Sequence, residues 1–212
     1  MKRIVTALAA VLSLTLAGVL GGASAALAAP AATTCSTAFL DGDSRLGPAT
    51  TPDSGIVALE LIGYDRLDGL SPQQFLARYY NSATSSWDYP PDNGYLIVNG
   101  RPVEFQTTLG PGQSVDRFGS PGGSFLAPFG IPYAARSLPP SNLDDQQQGL
   151  TCNYYTYKVL KPFAVEAGPI APAFGQPGLG LQYQLVSTLL PGDPVSATVN
   201  WLVSNGYLAA TN

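Results

Sequence analysis

The chain has no histidine, one methionine, two cysteines, and charged residues at only 11% of its 212 positions, far below the usual quarter. Without an imidazole there is no Ser-His-Asp triad, no Cys-His pair, no His-ligated metal and no histidine proton shuttle. Two cysteines cannot build a four-thiolate zinc site, and no acidic run has EF-hand spacing, so no metal site is expected. The absence of a GxxxxGK[ST] run excludes a P-loop nucleotidase. A net charge of −4 with no basic stripe argues against nucleic-acid binding. What the chain does have is glycine (23) and proline (19), about a fifth of all residues. The chemistry left open is that of carboxylate, Arg, Gln or Tyr.

The N-terminus reads Met1-Lys2-Arg3, then an uncharged run from Ile4 to Thr34 with its apolar centre at Ile4–Leu20. Gly21-Gly22 and the A-x-A pattern Ala26-Leu27-Ala28 follow. This is the layout of a secretory signal peptide over 1–28, with the mature chain starting near Ala29. A retained membrane anchor is the alternative, disfavoured by the small-residue end and Pro30. No later apolar run reaches the ~18 residues that span a bilayer, so the exported chain is expected to be free of the membrane. Losing Lys2 and Arg3 leaves 8 cations against 14 anions, a balance of −6. Export permits disulfides, and Cys35 with Cys152 is an even count, so the two are expected to be bonded. Two buried thiols are the alternative. A bridge closing so long a loop is worth ~4–5 kcal/mol in the chain-entropy model.

The expected organisation is a signal peptide (1–28), an N-terminal region (29–108) and a core (109–212). Asp41 to Asp53 reads as an extended loop, and Gly55-Ile-Val-Ala-Leu-Glu-Leu-Ile is ambiguous between helix and strand. Ser71-Pro72-Gln73-Gln74 is a helix start, with Ser as N-cap, Pro at N1 and Gln at the capping-box position. Phe75, Leu76, Tyr79 and Tyr80 then share one face. Tyr95–Val98, Asn99-Gly100 and Pro102–Gln106 read as a hairpin on a type I′ turn. Leu109 to Pro140 lacks periodicity and is long enough to suggest a functional loop. Three short β-type runs follow, Tyr154–Leu160, Phe163–Ala167 and Leu181–Val186. The C-terminal helix is expected over Ser196–Asn205, with Val199, Leu202 and Val203 inward and Gly206 as its stop. The fold class is α+β: an N-terminal helical and hairpin region packed on a small, mostly antiparallel β core with Gly/Pro-rich loops.

With so few cations, each one matters. Arg117 in Asp116-Arg-Phe-Gly-Ser and Arg136 in Ala134-Ala-Arg-Ser-Leu-Pro-Pro lie in Gly/Pro-rich surroundings. A guanidinium offers a planar fork to phosphate, and glycine lets backbone approach an anion. The plainer alternative for each is a surface ion pair, such as Arg117 with Asp116. Phe125, in Ser124-Phe-Leu-Ala-Pro, offers a ring for a flat ligand or else a core residue. Gln182 and Tyr183 open the last strand of the core, so one of them faces any cleft there. Paired glycosidase-type carboxylates are not identifiable: Asp144-Asp145 read as solvated turn residues, and Glu166 is compatible with burial or exposure. Residue chemistry alone thus reaches an exported α+β domain with an anion-plus-ring pocket, and no reaction.

Taken in order, several runs resemble the tuberculosis necrotizing toxin (TNT) domain: Val115-Asp-Arg-Phe-Gly-Ser, Gly123-Ser-Phe-Leu-Ala-Pro, Ile131-Pro-Tyr-Ala-Ala-Arg-Ser-Leu-Pro-Pro, Tyr157-Lys-Val-Leu-Lys-Pro-Phe, Gly168-Pro-Ile-Ala-Pro, Phe174-Gly-Gln-Pro-Gly, Gln182-Tyr183 and Val203-Ser-Asn-Gly-Tyr-Leu. Upstream, Cys35, Leu70-Ser-Pro-Gln-Gln-Phe-Leu-Ala and Tyr89-Pro-Pro-Asp-Asn-Gly are similar to secreted fungal-type surface NAD glycohydrolases. The resemblance implies hydrolysis of NAD⁺ or NADP⁺ to nicotinamide and ADP-ribose, or its 2′-phosphate, outside the cell, with no cofactor. It implies Gln182 and Arg117 as catalytic residues. Arg117 would hold pyrophosphate or the nicotinamide-side ribose, Arg136 phosphate, and Phe125 nicotinamide. Phe118 and Tyr183 are the neighbouring substrate contacts.

Many members carry a histidine near the start of the Tyr-x-Val-Leu-Lys-Pro strand, where this chain has Tyr154-Tyr-Thr-Tyr157. That departure motivates a catalytically silent, exported NAD-binding module as the alternative function. A protein-modifying ADP-ribosyltransferase is a third reading, with no recognisable transferase glutamate to support it. The family context leaves a homodimer and a cognate inhibitor protein open as partners. The tail from Gly206 has no carboxylate side chain, so the calcium site of fungal-type relatives is not expected.

Overall fold

The computed structural model describes residues 34–144 and 151–211; the expected signal peptide and cleavage site lie outside them. The described residues belong to one compact unit. None of their helices is long and apolar enough to cross a membrane.

The N-terminal region opens with two 3-10 turns and then the short helix α1 (Gly55–Glu60), which resolves the ambiguity of that segment. Its Val57 and Glu60, three apart and so on one face, are both buried. Helix α2 (Pro72–Tyr79) starts as expected. Ser71 Oγ accepts from the Gln74 N–H at 3.3 Å, and Gln74 Oε1 accepts from the Ser71 N–H at 3.0 Å. Tyr80 does not extend the helix: it opens strand β1 (Tyr80–Asn81), which pairs with β2 (Ser86–Trp87). The second hairpin joins β3 (Ile97–Val98) to β4 (Arg101–Pro102). At its turn both Asn99 (φ 52°) and Gly100 (φ 74°) are left-handed, as a type I′ turn requires.

The core is a seven-stranded, wholly antiparallel sheet. Its strands are β5 (Phe105–Leu109), β6 (Ser114–Phe118), β7 (Phe125–Pro128), β8 (Tyr154–Val159), β9 (Phe163–Pro169), β10 (Leu181–Gln184) and β11 (Leu208–Ala210), in the order β11-β8-β6-β7-β10-β9-β5. Leu109–Pro140, expected to be a loop, supplies two central strands and helix α3 (Tyr133–Arg136). Its strands are four or five residues long and bounded by Gly and Pro, so no periodicity accumulates. Helix α4 (Val199–Ser204) is capped by Thr198 and followed by Gly206 at φ 71°. Val199 and Leu202 are buried, but Val203, at the edge of the same helical face, is exposed.

Three apolar clusters hold these parts. The largest lies on one sheet face under α4 and includes Val115, Leu126, Tyr157, Tyr183 and Leu202. The second gathers Val57, Phe118, Tyr133, Leu143 and Tyr154 around the Cys35–Cys152 disulfide. The expected bridge is therefore present, tying the N-terminal region to the start of β8. The third packs Leu46 and Phe75 against Phe174 of the core. Burying rings of this size contributes roughly 2–3 kcal/mol each, which is how the N-terminal region is held to the sheet.

Candidate functional site

A cavity of about 470 Å³ opens where the end of β6, β7, the start of β10 and the loop 89–94 meet. That is an ordinary size for a small-molecule site. Arg117, Phe118, Phe125, Arg136 and Gln182, all singled out from sequence, line it.

Arg117 lies at the end of β6, and its guanidinium is held under the turn that follows. Nε donates to Ser120 O at 2.7 Å and Nη1 to Phe125 O at 2.8 Å. The planar group lies against Gly123, where a Cβ would fall 2.5 Å from Cζ and closer still to Nη2. The absence of a side chain at Gly123 is therefore what lets the guanidinium lie there. Among the described residues no ion pair involves Arg117; the surface pair with Asp116 does not form. Burial lowers the guanidinium pKa from its ordinary value, with nearby Tyr157, Tyr89 and Tyr155 opposing that shift. Arg117 nonetheless stays a cation, and so provides the pocket with a positive charge that no carboxylate of the described residues pairs with.

Gln182 is buried on β10, with Nε2 donating to Asn93 O at 3.0 Å. A carbonyl can only accept, so this contact fixes the amide: Oε1 is the end left to accept from a bound molecule. Asn93 is positioned by a left-handed stretch, with Asp92, Asn93 and Gly94 at φ 51°, 57° and 80°. Phe125 on β7 is half-buried beside it and sits opposite Gln184 in the ladder.

Two expectations about contacts are corrected. Tyr183 alternates to the other face of β10 and belongs to the apolar cluster there; of the two, the period of 2 leaves Gln182 on the pocket side. Arg136 is not a free cation. It is buried, with Nη1 on Asp116 Oδ1 at 2.6 Å, Nη2 on Glu60 Oε2 at 2.9 Å and Nε on Ile131 O at 2.9 Å. Its charge is met by two carboxylates, and it also lies over the Phe118 ring. Phe118 is almost wholly buried beneath the cavity wall.

Sequence reasoning missed Glu60, Tyr89, Asn93 and Tyr154. Glu60 is buried, and that burial, opposed by Arg136, pushes its carboxyl up to about 7. A lone acid inside the apolar run 55–62 was its signal. Tyr89 lines the cavity mouth and packs edge-on against Phe174. Asp144, expected to be solvated, is buried instead, and burial raises its carboxyl to about 7. Among the described residues no group of three or more His, Cys, Asp or Glu is placed to hold a metal ion. Glu166 is half-buried and accepts from Gln106 Nε2 at 3.0 Å.

A guanidinium with no carboxylate partner among the described residues, an aromatic side wall and an amide whose oxygen is left to accept suit an anionic ligand carrying a flat ring. The family model for tuberculosis necrotizing toxin matches residues 108–211. The conidial surface nicotinamide adenine dinucleotide glycohydrolase nadA of Aspergillus fumigatus is 39% identical over 173 residues, covering 80% of this chain and 70% of the fungal one. The structure of tuberculosis necrotizing toxin complexed with its immunity factor IFT superposes with a TM-score of 0.54 at 21% identity, covering 73% of this chain and 81% of that one. This last likeness is one of fold. The chain belongs to the tuberculosis necrotizing toxin (TNT) family.

Proposed function

We propose that this chain is an NAD⁺ glycohydrolase, splitting the nicotinamide–ribose bond to give nicotinamide and ADP-ribose. The observation that carries this reading is Arg117: a half-buried guanidinium without a carboxylate partner among the described residues, on the same cavity as Phe125 and the oriented amide of Gln182. The relationship to the fungal glycohydrolase supports it.

The chemistry needs no acid at the leaving group. As the C1′–N bond breaks, its electron pair goes to the pyridinium nitrogen, and nicotinamide departs neutral. Positive charge then spreads over C1′ and the ring oxygen in an oxocarbenium-like transition state. Water adds to C1′ and gives up its proton to solvent. The site's work is to hold, orient and desolvate. Arg117 binds the pyrophosphate remote from the bond being cut, and that binding energy serves to position the anomeric carbon. Phe125 shapes the nicotinamide pocket. Gln182 Oε1 accepts from a ribose hydroxyl or from the attacking water. Arg136, engaged by Asp116 and Glu60, supports the wall, so phosphate binding falls to Arg117. The absence of histidine is compatible with every step.

In this reading 29–108 and 109–212 are two parts of one catalytic unit, because Tyr89 and Asn93 come from the first and Arg117 and Gln182 from the second. The disulfide suits work outside the cell. A cognate inhibitor protein would act by covering the cavity mouth at Tyr89, and use of NADP⁺ and dimer formation are tested by the same purified protein.

The deciding experiment is nicotinamide release from NAD⁺ by the purified protein, beside Gln182→Ala and Arg117→Ala. Rapid release by wild type and its loss in both variants is expected. A folded, oxidised wild type that binds NAD⁺ calorimetrically without releasing nicotinamide would make this chain a silent binding module. Transfer of ADP-ribose to a macromolecule would make it a transferase.

A further inference from the structure

At the cavity wall four side chains form a polar cluster: Glu60 from α1, Asp116 from β6, Arg136 from α3 and Tyr154 from β8. All four are buried. Besides the two Arg136 ion pairs, Tyr154 Oη lies 2.6 Å from Glu60 Oε1 and 2.8 Å from Asp116 Oδ2. A phenol carries one proton and can donate in only one of these contacts. The other therefore needs a proton on a carboxyl group. Asp116 already accepts from Arg136 at Oδ1 and from the Gly130 N–H at Oδ2, so it is the acceptor of the set. Among the described residues Glu60 makes two side-chain hydrogen bonds, one from Arg136 to Oε2 and one between Oε1 and the phenol.

We propose that Glu60 is a positioning residue that works as a neutral acid: Oε1–H donates to Tyr154 Oη, which donates to Asp116 Oδ2, while Arg136 ties both carboxyl groups to α3. So protonated, the cluster holds one cation and one anion and is neutral overall, the state that burial favours. The raised pKa of Glu60 agrees with this. The groups facing Glu60 are Arg136, Asp116 and Tyr154. Tyr133 and Tyr64 lie in the same apolar cluster, the Tyr133 hydroxyl donating to Pro139 O. Ionising Glu60 does two things. It sets two carboxylates against one phenol proton, and it adds a negative charge behind a wall whose neighbour, Arg117, has to attract an anion. Glu60 lies outside the segment that the family model matches, so the N-terminal region contributes a control element as well as a pocket rim.

This inference rests on the glycohydrolase reading for its kinetic consequence, but not for its structural one. Glutamine at position 60 reproduces the hydrogen-bond pattern of the protonated acid, its NH₂ donating to Tyr154 and its oxygen accepting from Arg136, and it cannot ionise. The test compares wild type, Glu60→Gln and Glu60→Ala. For wild type, KM for NAD⁺ is expected to rise on the order of fivefold as pH goes from 6 to 8.5, the size expected of one added charge near the ligand at an intermediate dielectric. In Glu60→Gln that rise should vanish. Glu60→Ala should lose activity at every pH, and Glu60→Gln should restore it.

Independently of turnover, infrared spectra at pH 6 should show a protonated-carboxyl carbonyl band that Glu60→Gln removes and Asp144→Asn, a control for the other raised carboxyl, does not. An unchanged band in Glu60→Gln, a wild-type KM rise that persists in it, or a Glu60→Gln variant as inactive as Glu60→Ala would each overturn the proposal. A wild type that releases no nicotinamide but shows the Glu60 band would refute the glycohydrolase reading and leave the protonated acid standing.

Discussion

Gly123→Ala tests the site without touching a residue that contacts the ligand. The Arg117 guanidinium occupies the space a Cβ would need, with Cζ 2.5 Å from it. Arg117 is the flexible partner and backbone is not, so the side chain must swing away, losing its bonds to Ser120 O and Phe125 O. The guanidinium regains water as it leaves, so the stability cost is set by two net hydrogen bonds, roughly 1–2 kcal/mol. In a chain of this size that lowers Tm by about 2–8 °C. The functional cost is larger. A charge-assisted bond to phosphate is worth roughly 1.5–3 kcal/mol, so kcat/KM should fall on the order of 10- to 100-fold. Steady-state nicotinamide release with a thermal melt reads both quantities. The double variant Arg117→Ala/Gly123→Ala decides the mechanism: if the methyl acts only by displacing Arg117, the pair should be no slower than Arg117→Ala alone. Additive effects, or a Gly123→Ala variant with wild-type kinetics, would refute the placement of Arg117 as the anion-binding group.

Three further outcomes follow from the same geometry. Gln182→Glu turns the contact with Asn93 O into two opposed acceptors; turnover at pH 8 should drop at least about tenfold, one lost bond's worth, and recover toward pH 4–5 as the carboxyl regains a proton to donate, whereas a deficit independent of pH would show that amide orientation is not what matters. Cys35→Ser/Cys152→Ser should cost about 2–5 kcal/mol in urea unfolding, and a variant within 1 kcal/mol of wild type would mean the bridge is dispensable. Finally, stability should fall as pH rises between about 4.5 and 7. Glu60 has a folded pKa raised above its unfolded value, so across that window the folded state binds more protons than the unfolded one, and each unit of pH removes stability until the folded group ionises. Across that window Glu60 contributes on the order of 3 kcal/mol, and Asp144, raised in the same direction by burial, adds to it. Urea unfolding from pH 4 to 8 reads the slope, and Glu60→Gln should flatten it; a variant slope equal to wild type would count against the buried acid.

What the residues determine by themselves are features set by local chemistry or by ordered motifs. The capping box at Ser71 and the left-handed pair Asn99-Gly100 are short-range, so sequence and structure agree on them. The disulfide needed only an exported chain and an even count. The family was legible because its motifs are contiguous and keep their order, and with it came Arg117, Phe125 and Gln182. The identity of the pocket-facing residue at 182–183 was reduced to a choice of two by strand alternation alone.

Only tertiary structure decided how those charges are used. Arg117 and Arg136 look alike in sequence, each an arginine among glycine and proline. One faces a cavity with no carboxylate partner among the described residues, held beside Gly123 by the carbonyl oxygens of Ser120 and Phe125. The other is consumed by Asp116, twenty positions away, and by Glu60, seventy-six positions away. The choice between Gln182 and Tyr183 was settled by which sheet face α4 covers. The central strands β6 and β7 hid in apparent loop because short strands between turns have no periodicity to show. A proton count for Glu60, Tyr154 and Asp116 exists only once three elements distant in sequence bring those oxygens within hydrogen-bond distance. Sequence determines which chemical groups are available; the desolvated contacts between distant elements determine which of them carry charge and which face the ligand.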